Sequence, residues 1–135
     1  MNATLARLVR ERAQERCEYC KMHQDIQGAN FHVEHVVPRS RGGETAESNL
    51  ALACPTCNFH KSDKAVALDP ESGETTELFH PRRQRWEDHF VFRGLEVLGR
   101  TPCGRATVGL LEMNGDRRLR IRELERALGL LAGSP

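Results

Sequence analysis

The fold of this protein is decided by one stretch, Cys17–Asp63, which reads CEYCKMHQDIQGANFHVEHVVPRSRGGETAESNLALACPTCNFHKSD. A Cys-x-x-Cys pair opens the stretch, and a second pair, Cys54 and Cys57, stands near its end. Between the pairs lie the dipeptide Glu34-His35 and a loop with two adjacent glycines. This spacing predicts a unit that is held together by one metal ion and that carries a separate set of polar side chains.

The two thiol pairs are the strongest signal in the chain. Four thiolates bind zinc tetrahedrally at about 2.3 Å and leave no open position, which is typical of a structural site. The pattern therefore predicts a structural zinc ion with four ligands, Cys17, Cys20, Cys54 and Cys57. A disulfide or redox function is the alternative, although no thioredoxin-like βαβ pattern surrounds either pair. Aromatic residues make up only 5% of the chain, so its core is thin and a metal would be useful for stability.

Length and charge limit the classes of protein that fit. The 135 residues predict a single domain over 1–135, with a core at 17–66 and a C-terminal extension at 67–135. A net charge of +1 does not indicate a protein that coats DNA, but it permits a basic face. We expect a cytoplasmic protein, because the chain shows neither a secretory signal nor an apolar run of about 18 residues.

Hydrophobic periodicity predicts the order strand, loop, strand, helix in the central stretch. Residues 31–37 alternate in the manner of a strand. Residues 39–48 are rich in glycine, serine and charge, which predicts a surface loop before a second apolar run at 50–53. A helix is predicted to begin at Pro55, because proline in a first helical turn costs no hydrogen bond.

The flanking segments predict supporting helices and strands. Residues 4–16 place apolar side chains on one helical face, 75–79 predict a short strand, and 90–98 predict a hairpin. Two helices are predicted at the C-terminal end, one over 101–113 and one from Asp116. The last helix aligns four apolar residues on one face, which we expect to support the fold: Ile121, Leu124, Leu128 and Leu131.

The order of motifs resembles that of the HNH endonucleases. The chain reads C-x-x-C, then E-H-x-x-P-x-S-x-G-G, then N-L, then C-x-x-C-N-x-x-K. Two later segments, FHPRRQRWEDHF at 79–90 and TPCGRATVGLLEMN at 101–114, are similar to the C-terminal part of small bacterial HNH proteins. The resemblance covers most of the chain. It implies an α+β fold with a ββα-metal core, in which two antiparallel strands and a helix surround a divalent ion.

The resemblance also implies a role for each polar residue of the motif. Glu34, where aspartate is commoner, would bind the catalytic ion, and Asn58 would be its second ligand. His35 would be the general base, and Asn49 would orient it through the loop backbone. His60 is an alternative to Asn58, but the two side chains lie about 200° apart around a helix, so only one of them can face the ion. Magnesium or manganese suits oxygen ligands better than zinc does.

The activity implied is hydrolysis of DNA phosphodiesters by an endonuclease or nickase, which leaves 5′-phosphate and 3′-hydroxyl ends. A neutral imidazole can accept a proton from water at physiological pH, and a divalent cation can stabilise the leaving oxygen. The rival hypothesis is a zinc-containing nucleic-acid-binding module without catalysis. DNA is the predicted partner, and the oligomeric state stays open, with a homodimer as one option.

Basic residues close to the motif are candidates for binding DNA phosphates. The alternative for each of them is a solvated surface charge. The candidates are Arg39, Arg41, Lys61, Arg82, Arg83 and Arg85. Trp86, the only tryptophan, is expected in the core rather than stacked on a base.

Overall fold

The structure is a computed structural model, and it describes residues 1–133. Within this range each strand pairs antiparallel with its neighbour in sequence: β1 with β2, β3 with β4, and β5 with β6. The elements in chain order are α1 (Ala3–Ala13), α2 (Gln24–Gln27), β1 (His32–His35), β2 (Leu50–Ala53), α3 (Pro55–Lys61), β3 (Val66–Leu68), β4 (Thr75–Glu77), α4 (Trp86–His89), β5 (Phe90–Arg93), β6 (Glu96–Gly99), α5 (Pro102–Leu110) and α6 (Asp116–Ala127). This mixture of helices and small antiparallel sheets confirms the predicted α+β class. No helix in the part of the chain that the structure describes is both long enough and apolar enough to cross a membrane.

The central unit follows the predicted order of strand, loop, strand and helix. His35 at the end of β1 lies opposite Leu50 at the start of β2. Cys54 directly follows β2 and is the N-cap of α3, where its sulfur accepts the backbone N–H of Cys57. Pro55 occupies the first turn of α3, as its missing N–H favours. Cys54 and Cys57 are therefore held on one side of the helix start.

The hydrophobic core packs α1 and the β1–β2 pair against the C-terminal hairpin. Trp86 lies in this core, with its ring centroid 5.0 Å from that of Phe90 and 5.3 Å from that of Phe92. Its indole Nε1 donates a hydrogen bond of 2.7 Å to the carbonyl of Tyr19. The prediction that Trp86 belongs to the core is confirmed.

One strand pair was only half predicted. β4 lies within the predicted 75–79 segment, whereas its partner β3 was missed, because three residues with largely exposed side chains show no periodic pattern. The turn between β3 and β4 contains Asp69, which is fully buried. Asp69 accepts hydrogen bonds of 2.9 Å from Nε and Nη2 of Arg105, a residue of α5. The pair is thereby attached to α5.

The last helix, α6, buries charged residues beside part of its predicted apolar face. Ile121 packs against the core and Leu131 is buried, as predicted. Leu124 is 50% exposed and Leu128 is 58% exposed, so the prediction was wrong for these two residues. Arg118, Arg122 and Glu125 are at most 4% exposed. Arg118 reaches the cysteine cluster, where its Nη2 lies 3.1 Å from Sγ of Cys57.

Candidate metal centre and catalytic site

The four predicted zinc ligands converge in the core. The Sγ atoms of Cys17, Cys20, Cys54 and Cys57 all lie within 4.8 Å of one another, and all four residues are fully buried. The sulfurs of Cys20 and Cys54 are 3.7 Å apart. A tetrahedron of sulfurs with zinc bonds of about 2.3 Å has edges of about 3.8 Å. The cluster therefore fits one zinc ion with four thiolate ligands.

The same geometry argues against the redox alternative. A disulfide needs an S–S distance of about 2.05 Å, and all five cysteines are free. Burial raises the pKa of the Cys17 and Cys57 thiols, which disfavours their ionised forms. A bound cation offsets this cost, because the thiolate is the form that binds metal.

The turn inside the first cysteine pair connects the metal centre to both central strands. The carboxylate of Glu18 accepts the N–H of Leu52 at 2.9 Å and pairs with Arg82. Tyr19 donates its hydroxyl to Oε1 of Glu34 at 2.5 Å. Burial and the neighbouring carboxylate raise the pKa of Tyr19, so the phenol keeps the proton that it donates. A metal bound at Cys17 and Cys20 thus fixes a side chain that reaches β1.

Glu34 lies in an enclosed ion pair. Its carboxylate is 10% exposed, and Oε2 is 3.2 Å from Nζ of Lys61, which is 2% exposed. Lys61 also donates to the carbonyl of His35 at 3.1 Å. The ammonium therefore pairs with the carboxylate that is expected to bind a catalytic cation. The predicted phosphate contact of Lys61 is corrected, because its buried ammonium faces Glu34 instead of solvent.

Lys61→Met is expected to lower the free energy of unfolding by about 3–5 kcal/mol, because it leaves the enclosed Glu34 carboxylate without its partner. Chemical denaturation at pH 7 measures this loss. Lys64→Met, at an exposed lysine of the same segment, is the control and should change stability by about 0.5 kcal/mol or less. The double variant Glu34→Gln, Lys61→Met should recover much of the loss. An unchanged unfolding midpoint for Lys61→Met would contradict the ion pair.

His35 contacts a different set of residues from Glu34, since neighbours on a strand point to opposite faces. Its Nε2 is 2.8 Å from Oγ1 of Thr45 in the loop between β1 and β2. Burial, followed by the charges of Arg39 and Lys61, lowers the pKa of His35. The imidazole is therefore partly exposed, oriented by a hydroxyl, and neutral near physiological pH, as a general base must be.

Asn49 holds the loop that carries Thr45. Its Oδ1 accepts the N–H of Val37 at 2.9 Å, and its Nδ2 donates to the carbonyls of Val37 and Glu44 at 3.0 and 2.9 Å. A Cβ on Gly43 would lie 1.8 Å from the Val37 carbonyl, so this close approach requires glycine. Asn49 therefore acts on the surroundings of His35 through the loop backbone, without touching the imidazole itself.

Asn49→Ala is expected to cost about 1–3 kcal/mol of stability, because it leaves buried loop groups without partners. It should also slow any reaction that needs His35, since Thr45 is no longer held in place. Thermal unfolding and plasmid nicking measure the two effects. Asn30→Ala, at an exposed asparagine, is the control. Wild-type stability of Asn49→Ala would show that the hydrogen bonds from Asn49 to the loop backbone are not formed.

The structure separates the two candidates for the last signature position. Asn58 lies one turn before Lys61 on α3, so both point to the same side of the helix. His60 points elsewhere, with Nδ1 3.2 Å from a carboxylate oxygen of Glu112. Asn58, rather than His60, is the residue on the face that meets β1.

The comparison with known families decides what this unit is. Residues 17–64 match the family model described as HNH endonuclease. The segment 17–64 is an HNH domain. No curated protein and no solved structure is significantly similar to the chain. The match ends before β3, so the resemblance of 79–90 and 101–114 to other HNH proteins stays a prediction.

The basic residues around the HNH domain fall into two groups. Arg39, Arg41, Arg83 and Arg85 are exposed. Arg82 is instead paired with the buried Glu18, so its predicted role in phosphate binding is corrected to a structural one. Two clefts of about 460 Å³ each flank the HNH loop, which is the loop between β1 and β2 at residues 36–49, and they share Val37 and Arg83 in their walls.

Several residues that shape the HNH domain were missed by sequence reasoning. Tyr19 could have been predicted from the sequence, because it lies between the candidate zinc ligands Cys17 and Cys20 and must therefore be close to the metal centre. Thr45 had no such signal, since a threonine in a polar loop is unremarkable in sequence. Arg118 lies 61 residues after Cys57, and its contact with that residue depends on the packing of α6.

Proposed function

We propose that the protein is a DNA endonuclease or nickase that hydrolyses phosphodiester bonds with His35 as general base. The observation that carries the proposal is the combined charge, exposure and orientation of the His35 imidazole. His35 is the one residue of the motif that combines a neutral imidazole, partial exposure and an orienting contact.

The proposed reaction is an in-line displacement by water. His35 removes a proton from the water as its oxygen bonds to phosphorus, and the bond from phosphorus to the 3′ oxygen breaks. The leaving oxygen takes up a proton, and the products carry a 5′-phosphate and a 3′-hydroxyl. Thr45 sets the orientation of the ring, and Asn49 keeps the loop of Thr45 in place.

A divalent cation, magnesium or manganese, is the proposed cofactor, and it would supply positive charge beside the leaving oxygen. Glu34 and Asn58 are the proposed ligands, by resemblance to the family. The ion pair between Glu34 and Lys61 would have to open first, since the ammonium holds one of the carboxylate oxygens. The proton transfer to His35 does not depend on that opening.

Exposed arginines near the loop support DNA as the substrate. Arg83 contributes to both clefts beside the HNH loop, and Arg41 contributes to one of them. Guanidinium groups match phosphate oxygens through paired hydrogen bonds. Arg39 and Arg85 are the other proposed phosphate contacts. Glu44, Glu47 and Glu77 line the same clefts, so the face is mixed in charge, which fits the small net charge.

A second candidate function is nucleic-acid binding without catalysis. The enclosed pair of Glu34 and Lys61 favours it, because a cation site blocked by an ammonium would be inactive. In that case the HNH domain would serve only as a scaffold for basic side chains.

The test is a nicking assay on supercoiled plasmid with zinc-loaded protein, Mg²⁺ or Mn²⁺, and a chelator control for the added ion. His35→Ala, purified in the same way, controls for contaminating nucleases. Open-circular product from the wild type alone, with ends that ligase can reseal, is the expected result. DNA retention in a gel shift without nicking at high protein concentration would overturn the enzymatic proposal and support the binding module.

A further inference from the structure

We propose that Arg118 and Arg122 are the charge partners of the four-cysteine metal centre, so that α6 belongs to the zinc site although it supplies no ligand. The four thiolates carry two more negative charges than Zn²⁺ balances. A buried charge is costly unless it is paired. The Arg118 guanidinium contacts the sulfurs directly, and the buried Arg122 guanidinium would add a second positive charge from the next turn of α6.

Arg118 makes the direct contact. Its Nη2 is 3.1 Å from Sγ of Cys57 and 3.9 Å from Sγ of Cys54. Its Nη1 donates to the carbonyl of Leu111 at 3.0 Å, which fixes the guanidinium in place. The side chain is almost fully buried, so no solvent screens this interaction. Arg118 thus donates to two of the four sulfurs.

Arg122 adds a second charge one turn further along α6. It is 1% exposed, and its Nη1 donates to the carbonyl of Leu95 at 3.0 Å. Its Nε and Nη2 have no hydrogen-bond partner within residues 1–133. Burial lowers the pKa of Arg122, and the negative charge of Cys20 is the largest influence that opposes the shift. A buried cation with free donors is expected only where anions are close.

The other buried charge in this region is accounted for. Glu125 accepts the backbone N–H of His23 at 2.7 Å and lies within the influence of Arg16 and Arg122. Arg16 is itself held by the carbonyls of Lys21 and Leu130. Arg118 therefore faces the sulfurs directly, whereas Arg122 is influenced both by Glu125 and by the thiolates of Cys20 and Cys57.

Zinc affinity tests the proposal, because it can be measured without any nuclease activity. Arg118→Met and Arg122→Met keep the length and apolar stem of the side chain but remove its charge. Each is expected to weaken zinc binding by about 10–100-fold in competition with a chromophoric chelator, the usual effect of losing a group that supports metal ligands. Arg117→Met and Arg120→Met, at exposed arginines of the same helix, should bind zinc as the wild type does.

A spectroscopic readout separates this role from simple packing. In the cobalt-substituted protein, thiolate-to-cobalt charge-transfer bands report on the sulfurs, and loss of the Arg118 N–H···S contacts is expected to shift them. Arg118→Lys keeps the charge, so it should retain more zinc affinity than Arg118→Met while still shifting the bands. Wild-type affinity and an unchanged spectrum in Arg118→Met, with only a lower Tm, would overturn the proposal. Should the methionine variants fail to fold, Arg118→Gln and Arg122→Gln replace them, and wild-type affinity in both would overturn it equally.

Discussion

Removal of zinc is expected to unfold the HNH domain, and Cys57→Ala should have the same effect. Four buried sulfurs occupy the position where β2, α3 and the first cysteine turn meet. Without metal these thiols lack strong partners, and Arg118 is left facing them as an unpaired buried cation. Apparent binding free energies of structural zinc reach about 10–16 kcal/mol, which exceeds the total stability of many small domains.

Metal analysis after gel filtration should find one zinc per chain, and chelation should abolish the cooperative thermal transition of the region. Cys103→Ala is the matched control, because Cys103 is a half-buried cysteine outside the cluster. It should retain zinc and change stability by about 1 kcal/mol or less. A metal-free, reduced sample that unfolds at the wild-type temperature would contradict the four-thiolate site.

Loss of the His35 imidazole is expected to slow plasmid nicking by about 10²–10⁴-fold while leaving the fold intact. The large effect follows from the loss of the only proposed proton acceptor. The small structural effect follows from the partial exposure of the ring, whose recorded side-chain contact is the hydroxyl of Thr45. Single-turnover nicking rates and thermal unfolding separate the two.

His32→Ala provides the control for His35→Ala, because it removes an exposed histidine three residues earlier on the same strand. It should nick at the wild-type rate. Thr45→Val should give an intermediate rate, since the base is present but less well oriented. Equal rates for wild type and His35→Ala would remove His35 from the mechanism.

The four-cysteine cluster and the order of elements around it were predictable because their signals are local. Thiols at Cys-x-x-Cys spacing meet on one side of a tight turn whatever the rest of the chain does. Alternation in β1 and the proline at the start of α3 act over a few residues as well. The family match over 17–64 rests on this same local pattern.

Whether a charged side chain is exposed or paired inside the protein was not predictable from local sequence. Lys61 and Arg82 have the charge and position of phosphate-binding residues, yet each pairs with a buried or nearly buried carboxylate, Lys61 with Glu34 and Arg82 with Glu18. A charge is stable in the interior only if a partner arrives from another segment. Linear sequence does not reveal such a partner when it lies 27 or 64 residues away.

The sequence by itself determined the metal ligands, the strand that carries His35 and the loop that Asn49 holds, because each depends on neighbours along the chain. Only the tertiary structure decided which face of α6 is buried. Apolar periodicity favoured the leucines, but Arg118 and Arg122 are buried on this helix, and Nη2 of Arg118 lies 3.1 Å from Sγ of Cys57, a partner that only the packing of distant segments supplies.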